Sequence, residues 1–383
     1  MKITLKLSEA LYYLSYFIWL FFIFAAQTNL VNRYPMIFKL RLLAMVVSII
    51  LLFVKFLCEK HTIEFILIYF GALCLGTAIG IAVHKPYDAL MVISTILLIV
   101  SIKNVNFRNV LILWSSSIAL FMFLIFGLLK LNLIENSLRI QSGGRVRFSQ
   151  GYFYASLGAN YLFHLTLVYL YIRLSKIKFW EILSLGLLNY YFYINTDTKS
   201  AFYSAIFSLV LVYVFKNKTL SPKLLSIMGR FVLTVGVLLP IALTYFYNGS
   251  SRFFHTLNIF LTGRLSLGHK AWSLFGVHLF GQRIDWALQQ SATSVFDDYL
   301  YVDSSFVNIL LHYGVILLIV IWFSYYQLIK REYFNTIEML VFVVLIIHSM
   351  FDPQFFELMY NPLLLLIGVS WTMDRHKYQE GLN

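Results

Sequence analysis

The sequence predicts an all-α polytopic membrane protein, and three observations predict it. Of its 383 residues, 60% are hydrophobic and only 12% are charged, whereas soluble domains carry about 25% charged residues. The apolar residues gather into about twelve runs, most of them near the ~20 residues that a helix needs to span a bilayer. The Lys and Arg residues flank those runs with a bias. With the N-terminus inside, 17 fall in inner segments and 5 in the short outer loops. That is the positive-inside pattern, and it puts both termini in the cytoplasm.

Taken in order, the expected spans are 11–31, 37–57, 62–83, 88–102, 109–130 and 152–172, then 179–196, 199–215, 228–247, 303–326, 336–351 and 357–372. The first is too long for a signal-peptide core and lacks a small-residue cleavage site, so it reads as a retained helix. Pro240 falls inside a span, where a kink is expected. Cys58 and Cys74 lie in or beside apolar runs with no metal-ligand spacing, so neither a metal site nor a disulfide is signalled. The formal charge of +13 is scattered along the flanks of apolar runs, which suits headgroups rather than nucleic acid. With no internal repeat, low-complexity tract or soluble domain, residues 1–383 read as a single integral membrane domain.

Two longer loops emerge on the outer side, 131–151 and 248–302, and both are basic. Long loops translocate regardless of charge; the alternative is an anionic ligand held at the outer face. In the second loop Leu261, Leu265, Gly268, Trp272, Phe275 and Leu279 recur at spacings of four and three, which is one face of an amphipathic helix. His269, Lys270 and Ser273 lie off that face, and Lys270 is a candidate substrate contact. Thr262 is the expected N-cap, placing Arg264 in the first turn. A cation there opposes the helix dipole unless an anion is shared between the guanidinium and free backbone N–H groups. In the first loop Arg145 and Arg147, in GGRVRFSQG, combine a flexible backbone with two forked guanidinium groups, which suits a phosphate; snorkelling to headgroups is the other use of such residues. Arg252 and Arg283 are candidates of the same type.

Asp303 lies where the second loop returns to the membrane, in YVDSSFVNILLHYG. A carboxylate at the edge of the apolar layer is costly unless paired, hydrated or functional. Partial burial would raise its pKa and suit it to general-base work, although capping the helix that starts there is an equally ordinary use of Asp. Asn308 and His312 follow one and two turns later, and His348 and Asp352 stand four apart near another outer helix end. Both sets could relay protons or bind a ligand; polar packing between helices is the commoner role. Asp297 and Asp298 read as loop carboxylates. Neither DxD, Walker A, HExxH nor GxSxG occurs, so no metal or cofactor is expected and ATP-driven or zinc chemistry loses weight.

The run TGRLSLGHKAWSLFGVHLFGQRI followed by YVDSSFVNILLHYGVI resembles the Wzy-type capsular and exopolysaccharide polymerases of Gram-positive bacteria. The matching elements are Thr262–Gly263–Arg264, Leu279–Gly281–Gln282 and Val302 to Gly314. RVRFSQGYFYAS is similar to another block of that family, but Tyr154, Ala155 and Ser156 stand where His-Pro-Asn is usual. More distantly, the segment is similar to O-antigen ligases, with Asp303 at the position of their His. The resemblance implies a GT-C-like glycosyltransferase in a bacterial plasma membrane. It would join lipid-linked repeat units on undecaprenyl pyrophosphate at the outer face, without a metal. It also implies a flippase and a chain-length regulator as partners. Asp303 and Arg264 would be catalytic, Asp303 as base. Arg145, Arg147, Arg252, Arg283, Lys270 and His312 would bind substrate, and Trp272, Trp286, Tyr299 and Tyr301 could stack on sugars. The rival readings are a ligase that transfers finished polymer and a flippase or other transporter.

Overall fold

The computed structural model describes residues 6–141, 145–286, 300–332 and 334–372. In chain order its helices are α1 (Leu7–Ala25), α2 (Leu30–Arg33), α3 (Ile37–Leu57), α4 (Ile63–Val83), α5 (Pro86–Val100) and α6 (Phe107–Lys130). A hairpin follows, β1 (Leu138–Gln141) and β2 (Arg145–Phe148), then α7 (Ala155–Arg173), α8 (Phe179–Thr196), α9 (Lys199–Phe215) and α10 (Pro222–Tyr245). The second half holds α11 (Arg252–Phe260), α12 (Arg264–Phe275), α13 (Ser305–Asn308), α14 (Val315–Lys330), α15 (Thr336–Ser349) and α16 (Leu366–Thr372).

Every segment expected to span is helical over most of its length except the last. Among the described residues, six helical segments are long and apolar enough to cross a membrane: α1, α3, α4, α6, α7 with the turn that follows it, and α10. Five shorter apolar helices accompany them. Local signals set their ends. Thr62 Oγ1 accepts from Phe65 N at 3.3 Å, Ser221 Oγ accepts from Leu224 N at 3.3 Å, and Asn335 and Glu338 cap each other's backbone at the start of α15. Pro240 is accommodated within α10, which runs on through it.

The expected helix at 357–372 is a correction. Residues 357–361 are not helical, a 3-10 turn runs from Pro362 to Leu365, and only α16 is α-helical. Pro362 has no N–H to donate back and its ring crowds the preceding turn, which disfavours a helix entering it from the residues before. The irregular stretch is threaded through the bundle, and neighbouring side chains satisfy its carbonyls. Tyr16 Oη donates to Leu358 O (3.0 Å), Trp114 Nε1 to Met359 O (3.2 Å) and Tyr325 Oη to Leu363 O (2.9 Å). Non-helical backbone at membrane depth is tolerated only where protein supplies such partners.

Among the described residues both expected loops hold secondary structure. β1 and β2 pair antiparallel with Gln141 opposite Arg145. The hairpin base is tied to the end of α1 by Asn29 N to Gly151 O and Phe153 N to Gln27 O, both 2.9 Å. The second loop contains α11 and α12, and then an extended segment that docks on a π turn at Ile309–Tyr313, between α13 and α14. α7 packs on α6, α8, α9 and α15, while α10 packs on α12, α13, α14 and α15. This gathers the starts of α7, α9, α12 and α13 with the end of α15 at the end of the bundle that carries the hairpin.

Candidate functional site

At that hairpin end the two residues singled out in the second loop meet. Arg264 Nε donates to Asp303 Oδ2 at 2.8 Å across 39 residues of chain, with the side chains 30% and 26% exposed. Arg264 opens α12, but the N-cap is Gly263 at φ 85°, and Thr262 itself is left-handed at φ 56°. Thr262 as N-cap is therefore a correction, and of the first-turn amides Arg264 N donates to Leu261 O at 3.2 Å. The end of α11 turns tightly through Gly263 N to Asn258 O (2.8 Å), which brings Asn258 Oδ1 within 3.0 Å of Ser266 N. The chain caps α12 with its own carboxamide, leaving Arg264 to pair with a carboxylate.

Behind this pair lies a buried polar cluster built from three further elements. Asp352, just past the end of α15, accepts from Ser200 Oγ of α9 (2.9 Å) and from Asn160 Nδ2 of α7 (3.2 Å). His348 Nε2 stands 3.6 Å from Asp352 Oδ2, and its Nδ1 is 3.1 Å from Ser204 Oγ. The His164 ring lies edge-on to that of His348, with centroids 5.7 Å apart. Ser305 Oγ donates to the Asp352 carbonyl and accepts from Phe355 N at 3.0 Å, locking the start of α13 to the segment after α15. Asn160 Oδ1 and His164 Nε2 are buried without a hydrogen bond among the described residues. Buried polar atoms in that state are uncommon and call for an explanation.

Burial lifts both carboxyls. Asp303 is raised above the usual carboxylate range by burial, with Arg264 pulling it down and the Asp352 charge adding to the rise. Asp352 is raised to about 6, again by burial first and against the pull of Arg264. One guanidinium thus serves two carboxylates, one at the surface of the site and one at its floor. Such a centre can take a proton from a hydroxyl near neutral pH and neutralise an incoming anion.

The other candidates are spread around this centre. Arg147 is committed to the turn between α8 and α9, donating from Nε to Thr196 O (2.6 Å) and from Nη2 to Thr198 Oγ1 (3.1 Å). That brace sits at the turn that leads into α9, close in sequence to Ser200. Arg145 belongs to β2 by its backbone; its side chain, like Asp297, Asp298 and Tyr299, lies outside the described residues. Arg252 and Lys270 are exposed on α11 and α12. Arg283 pairs with Asp285 at 3.1 Å, which Lys85 also holds at 2.5 Å. His312 is buried in the π turn with Nε2 3.7 Å from Asp88 Oδ2 of α5, a second cluster in which Trp286 also packs, its ring 6.2 Å from that of His312. Asn308 Nδ2 reaches back to Val302 O at 3.4 Å and so steadies the backbone next to Asp303. Trp272 packs against Tyr245 at 5.3 Å, and Tyr301 against Trp286 at 5.5 Å.

Sequence reasoning missed Asn160, His164, Ser200 and Ser204. Each is an unremarkable polar residue inside or at the head of an apolar helix, and only the buried position of Asn160 and His164 within a span could have flagged them. It also left the segment from Gly281 to Tyr301 without an assigned job. In the structure Gln282 N donates to His312 O (3.1 Å) and Gln282 Nε2 to Leu311 O (3.2 Å), while the first amides of α14, Val315 and Ile316, donate to His278 O and Leu279 O at 3.1 Å each. Residues 278–282 fasten the helix break that precedes α14. Comparison of the chain with protein-family models, curated proteins and solved structures returns no match.

Proposed function

We infer that the chain is a membrane glycosyltransferase that polymerises lipid-linked oligosaccharide repeat units at the outer face of a bacterial plasma membrane. In this reading the twelve apolar segments cross the bilayer, the termini are cytoplasmic and the hairpin end faces outward. The observation that carries it is the Arg264–Asp303 pair backed by Asp352, a proton acceptor and a phosphate-type cation held together where a lipid-borne substrate would enter. The sequence resemblance supplies the substrate class, undecaprenyl-pyrophosphate-linked oligosaccharide, and a flippase and a chain-length regulator as partners.

The chemistry needs few parts. Asp303 takes the proton from an acceptor hydroxyl as its oxygen forms the new bond to the anomeric carbon of the donor chain. The bond from that carbon to the pyrophosphate oxygen breaks, and the electron pair leaves with the lipid pyrophosphate. Arg264 moves its charge from Asp303 to the leaving group, stabilising what develops there. Losing its cationic partner makes Asp303 a stronger base at the moment it is needed. Arg147 positions the turn that presents Ser200 to Asp352.

The test is polymer size on a gel from cells expressing each variant at wild-type abundance. Arg264→Ala and Asp303→Asn should both abolish long chains. Arg264→Lys should be impaired as well, because an ammonium cannot make the forked contact with phosphate. Undiminished long-chain polymer from both of the first two variants would sink the assignment.

A further inference from the structure

Beside the hairpin, and separate from Arg264, Asp303 and Asp352, lies a cleft of about 980 Å3. That is at the upper end of the roughly 300–1,000 Å3 typical of ligand pockets. Its walls come from α2, the ends of α6 and α8, and the base of the hairpin, and its side chains include Asn32, Asn132, Asn136, Gln150, Tyr191 and Asn195.

The walls are braced before any ligand arrives. Asn29 Nδ2 donates to Glu135 O (2.7 Å), Ser137 N to Ser149 Oγ (2.9 Å), and Gln150 N to Asn136 Oδ1 (2.9 Å). Asn195 Nδ2 is spent on Tyr191 O at 2.8 Å, which leaves its carbonyl oxygen as an acceptor. The carboxamides of Asn32 and Asn132 are exposed and have no hydrogen-bond partner among the described residues. The cleft therefore offers paired donors and acceptors of the kind that match hydroxyl groups, which are both at once. Tyr191, 37% exposed, adds an aromatic ring.

Charge argues for the class of ligand. Arg33 and Lys130 are balanced in part by Glu135, so the lining does not concentrate cations as a phosphate site would. Its carboxamides do not suit an acyl chain. An uncharged, hydroxyl-rich ligand fits best. The cleft also connects to the centre. Asn195 leads directly to Thr196, whose carbonyl takes Arg147 Nε, and then along the same turn to Ser200 on Asp352.

Resting on the polymerase reading, we propose that this cleft binds an uncharged stretch of the growing glycan and retains it between additions, so that chain length depends on it. The double variant Asn32→Ala/Asn132→Gly removes two exposed carboxamides that brace nothing, with glycine chosen at 132 because the backbone there is left-handed (φ 56°). Cells carrying it should still make polymer, but its modal length should drop at least about twofold. Binding is read by saturation-transfer NMR on the purified full chain in detergent, with neutral oligosaccharides cut from the cells' own polymer by mild acid. The double variant should bind at least about tenfold more weakly, equivalent to about 1.4 kcal/mol. Asp303→Asn should bind as the wild type does while making no polymer. Should the double variant not accumulate, Tyr191→Ala, at an exposed ring, replaces it with the same expected result. Wild-type chain length together with wild-type binding in these variants would overturn the proposal, as would a wild-type protein that shows no saturation transfer. If Asp303→Asn still makes long polymer, the polymerase centre is wrong, and the NMR comparison alone decides whether the cleft binds glycan.

Discussion

Arg264, Asp303 and Asp352 share one electrostatic problem, and pH exposes it. Burial holds Asp352 at about 6, above its ordinary value of 3.8. Between those values the folded chain keeps a proton that the unfolded chain has released. Stability therefore falls as pH rises through that window. Asp303 is shifted in the same direction by burial and contributes with the same sign. Asp352→Asn removes this group's contribution, so its thermal midpoint in detergent should fall less, relative to the wild type's, between about pH 4 and about pH 6. An unchanged slope would mean that Asp352 does not titrate there. Asp303 and Arg264 were legible from the sequence because each is a charge where a charge is costly. Asp352 and His348 were visible only as a pair four apart, and nothing local ties them to Ser200 or Asn160.

Among the elements, the break between α13 and α14 shows most clearly what packing demands of particular residues. Gly281 (φ 82°) and Gly314 (φ 94°) press backbone against backbone: a Cβ on Gly281 would meet the His312 carbonyl, and one on Gly314 would meet Gly281 N. Left-handed geometry alone costs a non-glycine residue about 1–3 kcal/mol, and the contact adds to it. Gly281→Ala should lower the thermal midpoint and the abundance of the protein. Gly71→Ala, where a Cβ meets nothing within 4 Å, should not; equal effects would contradict this account. The sequence offered both glycines only as parts of a resemblance. Their physical reason is a contact between segments more than 30 residues apart in the chain. The helices themselves were far easier to read, since an apolar run satisfies its own backbone and needs no partner to be recognised. The amphipathic helix in the second loop was read correctly from Leu265 to Phe275, but Leu261 and Leu279 fall outside it and its cap was misread. Asn258, which supplies it, sits on the preceding helix.

On the scale of the whole molecule, the bundle is organised around backbone that is not helical. The stretch after Pro353 depends on Tyr16, Trp114 and Tyr325 from α1, α6 and α14. Tyr325→Phe keeps the ring and deletes the donor to Leu363 O, leaving a buried carbonyl unsatisfied at a cost of about 1–3 kcal/mol. Its thermal midpoint in detergent should fall clearly, while Phe123→Leu, at a side chain 72% exposed on the bundle surface, should stay near wild type. Equal midpoints would show that the carbonyl finds another partner.

By itself the sequence determined the membrane class, the position of nearly every helix, and the two residues most worth mutating. These are local properties, set by runs of apolar side chains and by charges that interrupt them. Only the tertiary structure decided that Arg264 pairs with Asp303, that Asp352 gathers Ser200 and Asn160 behind them, that His312 turns instead to Asp88, and that the last apolar run is broken. Each of those depends on which helix faces touch. Helix faces touch by shape and by polar groups seeking partners in a medium that offers none, and no window along the chain contains both sides of such a contact.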